Sequence, residues 1–469
     1  MLFPTAEFVI FFLLAFAGGW LLCPGRTSWR LFMLAASYVF YAFFDVRFAV
    51  GAAAVTLVGW LLLLGVGRGR RSWLGAVLAT LSIAAHLGLL AYFKYAGFFV
   101  GTVVTALGAV GVHLPWGVGE IVLPVGLSFL AFRGIAAAVD VYRGDAEAPG
   151  VLDYAVFTMF FPYVAAGPVV RLGEIVPQLQ ERRDPRNVMA AQAFLLIAGG
   201  LAKKMLVADY LARTIVDGVF ATPALYSPVE TLAGILGYSV QIYCDFSGYT
   251  DMAIGIALLL GIKLPQNFAQ PYSAASLQRF WRKWHITLSN FLRDYLYIPL
   301  GGNRKGHART YVNLVVTMVL GGLWHGAGWA FVIWGLLHGL GQAAERLYKE
   351  YRGPDARPMF APLAWLLTFG FVTFAWVFFR ADSVSGAFAV LGRLFAFGSL
   401  GTVRVPWPVW ALIALTIGVQ FVPEDWRERA RATFGRIQPA WQGLALAAVI
   451  FVVSVLGPEG PAAFIYSGF

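Results

Sequence analysis

The sequence predicts an all-α protein that crosses a membrane many times. Of its 469 residues 59% are hydrophobic and 13% are charged, against about 25% charged in an average soluble chain, and the mean hydropathy is +0.71. Apolar runs of roughly the 17–25 residues needed to cross a bilayer recur from one end to the other. Polar residues and helix breakers gather between about Pro124 and Glu345.

Taken in order, the spans are Phe8–Leu22, Leu31–Phe44, Ala49–Val66, Leu74–Ala91, Ile121–Val139, Val188–Val207, Thr231–Leu260, Tyr311–Leu323, Phe331–Ala344, Leu363–Phe379, Trp410–Phe421 and Gly443–Leu456. Several are short for a straight crossing of about 20 residues, so tilted, broken or re-entrant segments are expected and the count is about ten to twelve. Polar stretches are only loop-sized, which predicts a single integral-membrane domain over 1–469 with a catalytic core at about 121–345. The net charge of +11 reads as loop arginine and lysine that set topology, and not as a nucleic-acid surface. Arg26 and Arg30 follow the first span, and Arg68, Arg70 and Arg71 the third. That alternation puts the N-terminus outside and the basic loops in the cytoplasm. No basic stretch precedes Phe8–Leu22, which reads as a retained span and not a cleaved signal. The two cysteines, Cys23 and Cys244, make neither a disulfide framework nor a zinc spacing.

Within the polar region, Phe161-Pro162-Tyr163-Val164-Ala165-Ala166-Gly167-Pro168 is a poor straight helix, because proline removes a backbone donor and clashes with the preceding turn. A re-entrant loop around Pro162–Pro168 is expected, with a kinked span as the alternative. Asp245 and Asp251 stand in otherwise apolar sequence and should face the interior with partners. Either one lines a site or caps and hydrogen-bonds within the fold. The run Ser276–Tyr297 is too charged to span and predicts an amphipathic helix at the interface. Its Arg282 and Lys283 could attract a phosphate-bearing ligand or anchor to lipid headgroups, and Asn290 lies on the same run.

Two tryptophan–histidine pairs forty residues apart, Trp284-His285 and Trp324-His325, carry the strongest chemical signal. Histidine exchanges a proton near neutral pH, and an ionisable side chain in hydrocarbon is a functional candidate by default. Glycines 321, 322, 326 and 328 surround His325, allowing close backbone approach and a helix break. That singles out His325, with His285 next. His86 reads as a satisfied buried side chain, His113 and His307 as loop residues, and His338 as structural. No G-x-S-x-G elbow supports a serine nucleophile. No two-histidine metal spacing occurs, so neither a metal nor a bound cofactor is expected.

The strings Tyr243–Asp251, Leu264–Phe268, Phe280–Leu288, Leu292–Arg304 and Gly321–Ala327 resemble the membrane-bound O-acyltransferase (MBOAT) family, and within it the bacterial alginate O-acetyltransferase branch. Met1–Pro4, Ala36–Tyr41, Pro124–Phe129, Asp140–Gly144 and Phe161–Arg171 extend the likeness over nearly the whole chain. Cys244 stands where the family usually has an aromatic residue, and Arg133 where glutamine is common. The resemblance implies a helical bundle around a central cavity or tunnel. It implies that His325 is catalytic and His285 a second functional residue, with Trp284, Trp324, Asp245, Arg282, Lys283 and Asn290 as cavity or binding candidates. It further implies acetyl-CoA as the cytoplasmic acyl donor and an extracytoplasmic polysaccharide as acceptor, in the bacterial inner membrane, with a periplasmic or surface esterase-like partner. D-alanyl transfer to a surface polymer is the nearer alternative and a transporter the more distant one.

Overall fold

A computed structural model describes residues 3–113, 115, 117, 119, 121–353, 359–396 and 404–457, and these form helices and turns with no strand. The chain divides into two compact units, one holding residues up to 190 with Ala253–Pro265, the other Ala191–Met252 with Gln266 onward.

The first unit opens with α1 (Ala6–Leu22), α2 (Arg26–Ala42), α3 (Val46–Arg68) and α4 (Trp73–Leu90). Thr5, Asp45 and Ser72 cap three of these helices by accepting a backbone N–H in the first turn. The sequence places the end of the fourth span at Ala91, but a π-helical turn, Ala91–Tyr95, carries the chain on into α5 (Ala96–Ala109). Lys94, the cation in this otherwise apolar run, lies in that turn and donates to Ser128 Oγ at 3.3 Å. Next, α6 (Leu127–Arg143) begins later than the predicted Ile121. Gly126 precedes it at φ +73°, and a Cβ there would lie 2.3 Å from the Val164 carbonyl oxygen.

The proline-rich segment folds as α7 (Val151–Met159), a break at Phe160, the single turn α8 (Phe161–Val164), and irregular chain up to α9 (Leu172–Gln180). Residues 160–170 are buried throughout, as irregular backbone at membrane depth requires. Arg133, itself buried, donates Nη1 to the Tyr163 carbonyl at 3.3 Å.

In the second unit, α10 (Ala190–Leu201) runs through π turns and the short helices α11 (Asp209–Leu211) and α12 (Asp217–Ala221). It meets α13 (Pro228–Leu259), of which the part up to Met252 belongs to this unit, at two glycines: a Cβ on Gly200 would lie 2.6 Å from the Gly248 oxygen, and one on Gly248 2.8 Å from the Gly200 oxygen. Small residues let helix backbones approach where lipid offers no hydrophobic drive for association.

The run Ser276–Tyr297 is not the single interfacial helix the sequence predicts. It breaks into α14 (Leu277–Trp281) and α15 (Ile286–Leu292), with His285 between them in the left-handed conformation at φ 41°. The break turns Phe280, Trp281 and Trp284 into the protein, where all three are buried. A hairpin follows, α16 (His307–His325) and α17 (Trp329–Arg352). Its helices touch backbone to backbone: a Cβ on Gly335 would lie 2.4 Å from the Met318 oxygen. Helices α18 (Ala361–Arg380), α19 (Val384–Arg393), α20 (Trp407–Val419), α21 (Glu424–Gly435) and α22 (Pro439–Leu456) complete the described chain.

Among the described residues four helical stretches are by length and composition able to cross a membrane: Val46–Arg68, Trp73–Ala109, Ala190–Ala221 and Ala361–Arg380, with α20 and α21, bent by 96°, as a fifth if taken together. Others read as spans from sequence are shorter, such as α1 and α20, or carry polar residues turned into the protein, such as α13 with Asp245 and α16 with His325.

Candidate active site

His325 is the last residue of α16, and the extended Gly326 that follows ends the helix. The side chain is 1% exposed. Its ring lies 5.0 Å from Trp324, 5.2 Å from Trp334 and 5.1 Å from Phe379, centroid to centroid. The His285 ring is 6.2 Å away and is itself fully buried, with Phe246 of α13 at 4.7 Å and Trp324 at 6.0 Å. The two tryptophan–histidine pairs therefore meet. His285 does not sit on an outer cationic helix; it stands with His325 in the interior.

The segment Asn267–Ala269 fixes His285 in its left-handed geometry. Asn267 O accepts from Ile286 N at 2.9 Å, and Ala269 N donates to Lys283 O at 2.9 Å. The Asn267 Oδ1 accepts from the Thr287 hydroxyl at 2.9 Å and from its backbone N–H at 3.3 Å. Asn267 is a positioning residue that spacing arguments alone passed over, although it lies in the Leu264–Phe268 string.

The remaining candidates divide. Trp324 touches both histidines. Trp284 packs one layer away, between Phe280 at 5.6 Å and Trp376 at 4.9 Å. Asp245 forms an ion pair with Lys204 at 2.6 Å, and Lys204 also holds Asp209 at 2.8 Å. Asp251 pairs with Lys203 at 2.5 Å. Lys203 and Lys204 were not singled out in the sequence; two adjacent lysines inside an apolar helical run were the signal. Arg282 is exposed and Asn290 half-buried. Lys283 donates to Ser273 Oγ at 2.8 Å. Partial burial, then the nearby Arg279 and Arg427, push its ammonium below the ordinary lysine value.

His86 is held at Nδ1 by the Ser82 carbonyl at 2.7 Å, as a packed structural histidine should be. The exposed His307 pairs with Glu350 at 2.9 Å. His338 is fully buried and takes a hydrogen bond on Nδ1 from the Trp281 indole N–H at 3.3 Å. Its ring lies 4.9 Å from Trp334, so it stands behind the first layer around His325. Among the described residues no three His, Cys, Asp or Glu side chains converge to hold a metal ion.

A cavity of about 540 Å³ opens beside this cluster, lined by α14, α15, α16 and α17. Trp281, Leu292, Thr317 and Met318 contribute to its wall, with Arg293, Arg346, Lys349, Gln278 and Asn303 as polar lining. Glu345 of α17 also lines it, accepting the Leu277 N–H at 2.6 Å and pairing with Lys349, which ties α14 to the hairpin. Trp281 is the wall shared by the cavity and the aromatic layer, since its ring lies 5.8 Å from Trp334.

A buried histidine pair, fenced by indoles and next to a cavity of mixed polarity, suits proton transfer at a bond shielded from water. The MBOAT family, membrane-bound O-acyltransferases, matches residues 135–384. The chain is 42% identical over 402 residues to "Probable alginate O-acetylase AlgI" of Azotobacter vinelandii, covering 85% of this chain and 79% of that one. It is 36% identical over 428 residues to "Peptidoglycan O-acetyltransferase" of Helicobacter pylori, covering 83% and 79%. Likeness to "Teichoic acid D-alanyltransferase" of Bacillus subtilis is lower, 26% over 272 residues, covering 54% and 68%. The match over more than half its length, and this identity to acyltransferases, show that the chain is a multi-pass membrane acyltransferase and belongs to the membrane-bound O-acyltransferase family.

Proposed function

We propose that the protein moves an acetyl group from cytoplasmic acetyl-CoA towards a hydroxyl of an extracytoplasmic polysaccharide, alginate-like or peptidoglycan, with His325 as general base. The observation that carries this reading is the meeting of His325 and His285 inside one aromatic enclosure. His325 takes the proton of the acceptor hydroxyl as its oxygen attacks the thioester carbonyl. Such base catalysis contributes about 10²–10⁴-fold, so placed donors must also stabilise the oxyanion in a dry site. His285 binds or orients the reacting groups.

The donor reading is supported by the cavity. Arg293, Arg346 and Lys349 line it, each now paired with a neighbouring carboxylate for which donor phosphates would compete, and the apolar side near Leu292 and Met318 suits a thioester-bearing arm. The names of the relatives that match over most of the chain support acetyl as the group and a surface glycan as the acceptor. D-alanyl transfer rests on a relative matched over about half the chain and is the second reading. The enzyme then sits in the bacterial inner membrane with its N-terminus outside, and an esterase-like periplasmic partner completes delivery.

Feeding labelled acetyl-CoA to membranes that contain the protein tests the proposal. Label should pass to a glycan or partner with wild type and not with His325→Ala, at equal membrane abundance. Transfer by His325→Ala at the wild-type rate, or movement of a glycan across the membrane without any acyl donor, would overturn it.

A further inference from the structure

Trp334 of α17 is 1% exposed, and among the described residues its indole N–H meets no hydrogen-bond acceptor. Its surroundings are rings. It packs nearly perpendicular to His325, stacks on Trp376 at 5.6 Å and 18°, and touches Phe379 at 5.1 Å. Trp281, one ring away, differs: its N–H is already given to His338 Nδ1. A buried donor left without an acceptor is costly, and native interiors rarely tolerate one without a reason. Phenylalanine would fill an aromatic wall without that cost.

We propose that Trp334 is a further catalytic residue, whose indole N–H stabilises the oxyanion formed on the thioester carbonyl during acyl transfer at His325; this rests on the acyl-transfer reading above. The acceptor oxygen forms the new C–O bond at the carbonyl carbon while its proton moves to His325. The carbonyl π pair moves onto the carbonyl oxygen, and the Trp334 N–H meets the charge there. Collapse restores the C=O bond and breaks the C–S bond, and the departing sulfur takes the proton back from the imidazolium as a thiol. Trp376, Phe379 and Trp281 pack against the indole and hold its orientation. Donors fixed where charge develops act most strongly in water-excluded sites.

The test compares wild type, Trp334→Phe, and a chain carrying β-(3-benzothienyl)alanine at 334, an indole isostere with sulfur in place of N–H. The full-length protein in lipid nanodiscs is given acetyl-CoA and an oligomannuronate acceptor, and free CoA thiol is measured with thermal midpoint. The isostere should lower kcat by about 10²–10³-fold, the loss seen on removing one oxyanion donor. KM for acetyl-CoA should stay within twofold and the midpoint should hold or rise, since among the described residues this indole N–H makes no hydrogen bond to lose. Trp334→Phe should follow the isostere; if it fails to fold, the isostere alone decides. A kcat within threefold of wild type, a loss confined to KM, or a midpoint that falls together with kcat would overturn the assignment. His325→Ala is run alongside. If it is inactive while the isostere is fully active, only the indole assignment fails; if it is itself active, the acyl-transfer reading fails as well.

Discussion

The rings of His285 and His325 lie 6.2 Å apart, although one sits in a left-handed turn and the other at the end of a long helix. Neither helix alone could place them so. The meeting depends on the Asn267 clamp on one side and the glycine-packed hairpin on the other.

His285→Asn should fold, because asparagine tolerates positive φ about as well as histidine does, whereas a β-branched residue does not. We expect His285→Asn at wild-type membrane abundance with acetyl transfer reduced by about 10²-fold, the cost of lost positioning. His285→Val should lose abundance as well. Quantitative blotting of membranes with labelled acetyl transfer separates the two effects; equal behaviour of both variants would argue against backbone strain at this position.

Lys204→Met leaves Asp209 and Asp245 without the ammonium that joins them. Removing one partner of a buried ion pair costs about 3–5 kcal/mol, a large share of a typical stability. The variant should fail to accumulate, and Lys204→Met with Asp209→Asn and Asp245→Asn should recover. Lys203→Met breaks a pair that is 25% and 28% exposed and should cost less. Fluorescence-detected size-exclusion profiles with heating would rank the three.

Gly335→Ala places a Cβ against backbone, 2.4 Å from the Met318 oxygen, where no side chain can yield. The α16–α17 hairpin must open, and His325 moves with it. Gly370→Ala in α18 meets open space and should hold or raise stability, by up to about 1 kcal/mol from helix propensity. Thermal midpoints of the two variants in the same detergent, with transfer activity, test the contrast; equal midpoints would count against close helix contact.

Arg346→Ala with Lys349→Ala removes two cations from the cavity lining. If phosphates of the donor sit there, KM for acetyl-CoA should rise several-fold with kcat little changed, the signature of lost uniform binding. Raising the salt concentration should weaken donor binding to wild type more than to the double variant. An unchanged KM would remove the donor from this cavity.

The sequence by itself determined the helical membrane class, because apolar run length is set by bilayer thickness and needs no partner to be read. It also marked His325, because a histidine among glycines is locally anomalous, and the string around it carries the family. It marked Asp245 and Asp251 as needing partners but did not find Lys204 and Lys203, since ion pairing across a helix crossing depends on where Gly200 and Gly248 let two backbones touch. It read Ser276–Tyr297 as one interfacial helix because charge and aromatic content are local, whereas the break at His285 is held by hydrogen bonds that Asn267 accepts and Ala269 donates. The roles of Trp281 and Trp334 were likewise beyond it. Both are apolar-looking tryptophans in sequence, and only packing decides that one indole N–H reaches His338 while the other, beside His325, has no acceptor among the described residues. Tertiary contact, and not residue type, separates them.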